Sequence, residues 1–375
     1  MKYLLTIVIF TISILSKADE CNPVTHLNEI KNYCNHFSER FCEKARKAQE
    51  VKTKNLKQRF EKIGFESVLQ RLPGSNKNIN IDEMKNNPEL ISKFRDETFK
   101  ASFNTYHENK ESFENFGKFV KENMKETIIA QISKSGLSKS EKLKIIEFTQ
   151  KKIPEIKILF SPYSQEAKEL QKQINKEYEI ELQNSDIDFE FEDIDSLDIE
   201  DMFYEACGKD GTKRNAFYME KEQHKIIFLC PGDYLLDYDL TQSMDGIYNK
   251  MFFTLSHEIG HGFDYGHLIN GKRVFAKYLK CLGSHNKDHR HEITADFWGA
   301  SAMARQINLG NFSKDEMIKS SLELLCFTES GSEHPDGTFR INHIIPTQAD
   351  LNKALGCKTP KVSCDLNGAQ LFFVD

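Results

Sequence analysis

Two histidines four residues apart, His257 and His261, with Glu258 beside the first, require a helix to act together. Helix residues at i and i+4 share a face, so both imidazoles can bind one ion, and the intervening carboxylate can reach a water on that ion. The surrounding residues supply the helix. Ile247, Met251, Leu255, Ile259 and Phe263 recur at four-residue steps between Asp245 and Phe263, a stripe that faces a core and leaves the histidines pointing away from it. A catalytic zinc takes three protein ligands and keeps one position for water, so the fold must bring a further ligand from elsewhere.

Two candidates compete for that position. His267 stands ten residues after His257, the spacing of the extended HExxHxxGxxH motif, with Asp264 where that motif has glycine. Glu292 opens the run Glu292-Ile293-Thr294-Ala295-Asp296, at the start of a helix whose Ala295, Gly299 and Ala302 form a smooth face. Such a face permits close approach to a neighbouring helix. Asp296, one turn further on, can accept the free ring N–H of a ligand histidine and fix its tautomer. His285, His289 and His291 also cluster, but no carboxylate or cysteine joins them at a ligand spacing, and they read as a solvated loop.

The 375 residues suggest two lobes. Numbers 19–205 read as a helical lobe, and numbers 206–375 carry the metal motifs. From Asn22 to Leu182 apolar residues recur at helical spacing, with breaks at Pro73-Gly74-Ser75, Ser135-Gly136, Pro154 and Pro162, so several packed helices are expected. Residues 186–201 alternate acidic with apolar side chains and read as an acidic edge strand or linker. An EF-hand loop starting at Asp186 is excluded by Phe191, where glycine is needed. Beyond Gly211, Asn215–Tyr218 and Lys225–Leu229 read as strands of a hairpin. The fold class is α+β, predominantly helical with a small sheet. With 51 basic against 57 acidic residues, a net charge of -6, the chain has no cationic excess for a nucleic-acid partner.

Residues 1–18 read as a signal peptide: Lys2, an apolar run from Leu4 to Leu15, then Ser16-Lys17-Ala18 as the cleavage site. The apolar run is too short to span a bilayer, so no stable membrane anchor is expected, and the protein would be secreted or periplasmic. All nine cysteines follow that site and are expected to form disulfides, with at least one left over.

Four stretches in this order resemble the neprilysin-like zinc endopeptidases, a branch of the gluzincins. They are Asn215-Ala216-Phe217-Tyr218, the HExxH followed by Gly262-Phe263-Asp264, the ExxAD run from Glu292 to Asp296, and His334-Pro335 leading to Phe339-Arg340 and Cys357. The resemblance covers about Gly211 to Cys357. It implies a thermolysin-like catalytic lobe and one zinc per chain held by His257, His261 and Glu292. It makes Glu258 the general base and Asp296 an active-site partner. His334 would donate to the oxyanion, and Arg340 would hold the substrate carbonyl or its neighbours. Asn215 and Ala216, with Phe217 in the same stretch, would bind the main chain of a peptide substrate; an extended peptide adds to a strand edge through backbone bonds. The expectation is a secreted zinc-dependent endopeptidase. A metzincin-like peptidase using His267, and a secreted binding protein that keeps the fold without cleaving, are the alternatives.

Overall fold

The computed structural model describes residues 39–74, 78–184, 198–221, 223–235, 244–268, 270–282, 289–311, 325–326, 334–341, 348–356, 364 and 366. The signal-peptide reading, His285, Cys357 and most of the acidic stretch lie outside the described residues. Ten longer helices and three strands follow in order among them: α1 (Glu39–Arg71), α2 (Pro88–Ser102), α3 (Lys110–Lys134), α4 (Lys139–Glu155), β1 (Ile156–Leu159), α5 (Gln165–Asn184), α6 (Ile199–Cys207), β2 (Ala216–Lys221), β3 (His224–Leu229), α7 (Met244–His261), α8 (Gly271–Leu282), α9 (Arg290–Leu309) and α10 (Ala349–Leu355). The chain is predominantly helical with one small sheet, an α+β arrangement.

Local chemistry sets the helix ends. Ser138 opens α4 with a capping box, its hydroxyl accepting from the Glu141 N–H while the Glu141 carboxylate accepts from the Ser138 N–H. Pro154 does not stop α4, as a break there would require, but sits in its last turn. Lys121 Nζ donates to the carbonyls of Pro154 and Ile156, satisfying acceptors that a helix end leaves open. The acidic stretch ends differently from the expected strand. Asp198 accepts from the backbone N–H groups of Glu200 and Asp201 and caps α6, because a carboxylate is favoured where a helix leaves its first N–H groups unpaired.

The sheet order is β1-β3-β2, with β1 parallel and β2 antiparallel to β3. The expected hairpin is present, with longer strands, from Ala216 paired with Leu229 to Lys221 paired with His224. β1 was not expected within the helical region. Cys207 and Cys230 form a disulfide that ties the end of α6 to the end of β3, and Cys281–Cys364 ties α8 to the C-terminal segment.

One apolar cluster joins Phe113, Phe116 and Val120 of α3 to Phe252 and Ile259 of α7 and to Phe297 and Trp298 of α9. α7 therefore lies between α3, α9, β2 and β3. It is buried on every side along its second half, rather than on one stripe: His257 is 6 % and Glu258 7 % exposed, beside fully buried Leu255, Ser256 and Ile259. No described helix is long and apolar enough to cross a membrane.

Candidate metal centre

The close contact of α7 with α9 depends on small residues. A Cβ on Gly260 would lie 3.1 Å from Trp298 Cβ and 3.2 Å from Ala295 Cα, and one on Gly299 would lie 3.0 Å from the Phe253 ring. Trp298 Nε1 donates to the Phe263 carbonyl at 2.8 Å, fixing the end of α7 against α9. This contact brings Glu292, in the first turn of α9, to the two α7 histidines.

The three side chains meet at nearly equal spacing. His257 Nε2 lies 3.2 Å from His261 Nε2 and from Glu292 Oε2, and His261 Nε2 lies 3.2 Å from Glu292 Oε1. Tetrahedral ligands with metal bonds of 2.0–2.1 Å stand about 3.3 Å apart, so the spacing suits one ion. His257 Nδ1 is 2.9 Å from Asp296 Oδ1. The carboxylate can only accept, so Nδ1 carries the proton and the Nε2 lone pair is left facing the centre. Glu292 Oε2 is buried without a hydrogen-bond partner. His257, His261 and Glu292 could therefore hold a metal ion.

Charge is balanced around this group. Burial favours the neutral forms of His257 and His261, but the nearby carboxylates, Asp296 and Glu292 beside His257 and Asp264 and Glu292 beside His261, outweigh it and raise both rings above the ordinary histidine value. Burial would raise Glu292, yet the two histidines hold it well below its ordinary value. A ring whose folded value is raised stabilises the metal-free protein fully below the unfolded value of 6.5, and loses that contribution as pH rises through the folded value. Metal requires the neutral rings, so its affinity rises with pH over the same window. Thermal melts between about pH 6 and 9 should show chelator-treated protein losing stability and metal-loaded protein gaining relative to it. A constant gap between the two melts would contradict this protonation scheme.

Asp296 is fully buried and also receives Arg340 bidentately, Nε to Oδ2 at 2.7 Å and Nη2 to Oδ1 at 2.6 Å. The guanidinium fork implied to meet substrate thus holds the carboxylate that orients His257. His334 is half-exposed, with Nε2 3.5 Å from Glu292 Oε1. Glu258 lies close enough to His261 and Arg340 for its charge to favour their protonated forms.

The remaining sequence candidates divide. His267 does not join the α7 histidines: its Nδ1 faces Asp264 Oδ1 at 2.9 Å, because the Gly266 N–H bonds to the same oxygen at 2.8 Å and turns the chain after α7. Asn215 precedes β2, accepts at its carbonyl from Cys230 N–H and donates its side-chain amide to the Ala206 carbonyl. Ala216 and Tyr218 pack on the α7 side of the sheet, whereas Phe217 stacks on Phe228, ring centroids 4.5 Å apart, on the other side. Phe217 can therefore offer the α7 side only its main chain.

Sequence reading missed two residues. Asp264 is 1 % exposed and gathers His267, His291 and, at 3.7 Å, His261. His291 is thus joined by a carboxylate rather than lying in a purely solvated loop. Asp233 is buried, and burial chiefly, with Glu258 adding and Arg214 opposing, pushes its carboxyl up to about 7. No local spacing marks Asp233, and Asp264 enters the sequence reading only as part of the stretch that follows HExxH. Neither family models, curated proteins nor solved structures gave a match to this chain.

Proposed function

We propose that this protein is an exported zinc-dependent endopeptidase of neprilysin-like, gluzincin type, with numbers 206–375 carrying the catalysis. The observation that carries the reading is the convergence of His257, His261 and Glu292, with Glu258 on the same helix turn, beside β2, a terminal strand of the sheet packed on α7. Two imidazoles and one carboxylate suit zinc and leave a position for water. Bound zinc would lower the water's pKa toward about 7 and polarise the scissile carbonyl.

The chain's own residues supply the rest. An extended peptide would align along β2 through main-chain bonds from Asn215 and Ala216. Glu258 takes the proton of the attacking water and delivers it to the leaving amine. His334 donates to the developing oxyanion, where one donor is typically worth about 3 kcal/mol. Asp296 keeps His257 in the ligating tautomer, and Arg340 acts through Asp296 as a positioning residue. The disulfides support an oxidising compartment, as expected of an exported protein.

Metal content by mass spectrometry tests the ligand set. After dialysis that leaves only the tightly held ion, the parent and His267→Ala should each retain the zinc that Glu292→Ala loses. Loss in His267→Ala with retention in Glu292→Ala would restore the metzincin-like alternative.

A further inference from the structure

Two side chains on the loop that follows the HExxH helix, Asp264 and His267, and one from the first turn of α9, His291, remain outside the proposed reaction. Asp264 is almost fully buried, while the His267 and His291 side chains are 37 % and 46 % exposed. His267 Nδ1 is 2.9 Å from Asp264 Oδ1, and His291 Nδ1 is 2.7 Å from Asp264 Oδ2. One donor atom from each of the three lies within 4.8 Å of the others. Gly266 makes room for this approach, since a Cβ there would come within 2.7 Å of His291 Cε1.

We propose that Asp264, His267 and His291 form a second site, for a first-row divalent transition-metal ion, distinct from the His257, His261 and Glu292 group. Two imidazoles and one carboxylate select zinc, nickel, cobalt or copper over magnesium or calcium, which prefer all-oxygen shells. Ligands around tetrahedral zinc stand about 3.3 Å apart, so with both Asp264 oxygens turned to one ion each His–Asp contact needs to open by only about half an ångström. The exposed rims of both histidines leave water to complete the shell. Glu220 Oε2, 3.7 Å from His267 Nε2, is placed to orient that ring from outside.

The two sites are coupled through Asp264, whose Oδ2 is 3.7 Å from His261 Nδ1. A second ion draws that carboxylate away from His261, and the two cations repel. The second ion therefore binds more weakly than the first. Its binding is independent of whether the protein cleaves peptides.

Zinc titration by calorimetry, with metal counted by mass spectrometry, tests the site on the parent, His267→Ala/His291→Ala and Glu292→Ala. The double variant removes two partners of the buried Asp264 and should melt earlier than the parent; its retention of the tighter ion shows that it is folded, and Glu292→Ala gives an arm that leaves Asp264 untouched. The parent should take two zinc ions, and the double variant one, with affinity for the weaker ion reduced roughly a hundredfold or more. Glu292→Ala should lose the tighter ion and keep the weaker. Magnesium and calcium should not compete. A parent that binds one ion, or a double variant that still binds two, overturns the proposal. Failure of the first-site reading has a different signature, namely Glu292→Ala retaining the tighter ion.

Discussion

Glu258→Gln should bind zinc at the parent's stoichiometry and lose roughly 100- to 10,000-fold in kcat, the usual contribution of a general base. Glu258 is not among the three side chains whose donor atoms converge. It lies on α7 between the two histidines, and its charge reaches His261, Asp233 and Arg340. Glutamine keeps the size of the side chain and removes only the ability to take a proton from water. The effect should therefore fall on kcat more than on KM, because proton transfer belongs to the chemical step. Steady-state kinetics on zinc-loaded protein, with metal counted on the same sample, reads both quantities. Parent-level turnover by this variant would remove Glu258 from the mechanism.

Arg340→Met should cost about 3–5 kcal/mol of stability, the usual effect of breaking a buried ion pair from one side. Arg340 is 5 % exposed and Asp296 fully buried, and their two short bonds hold the Asp296 carboxyl below its ordinary value although burial alone would raise it. Without the guanidinium, the Asp296 carboxylate loses the fork that fixes its orientation toward the His257 ring, and zinc affinity should fall roughly 10- to 100-fold, as when the partner of a metal ligand is removed. Arg340→Lys restores the charge without the two-pronged geometry and should fall between the two. Urea titration of chelator-treated protein gives the stability term, and competitive zinc titration the affinity. A loss below about 1 kcal/mol with unchanged zinc binding would show that Arg340 does not support the metal centre through Asp296.

The parts of the fold legible in the sequence were those with local signals. The four-residue apolar stripe marked α7 to within two residues of its ends, and the strand-like stretches Asn215–Tyr218 and Lys225–Leu229, separated by polar Glu220–His224, marked the hairpin. Ala295 and Gly299 signalled the smooth face of α9, and the structure adds Gly260 as its counterpart on α7. β1 was hidden because four residues give little periodicity, and its partner in β3 lies about seventy residues away. Around α7, the pattern of Leu255 and Ile259 indicated one buried face, whereas packing by α3, α9 and the sheet encloses its second half on every side. Asp264 could be read as part of a motif but not as the meeting point of three histidines, since His291 reaches it from another helix. Likewise, Arg340 carried an implied role toward substrate, and only the tertiary structure places its fork on Asp296.

Endopeptidase activity itself is tested most directly by incubating the zinc-loaded parent protein with a mixture of peptides of diverse sequence and identifying the products by mass spectrometry. Cleavage at internal bonds that stops with a chelator, returns with added zinc and is absent from Glu258→Gln is the expected result. A folded, zinc-loaded parent that leaves every peptide intact would contradict it and would favour a binding protein that keeps the metal site without the reaction.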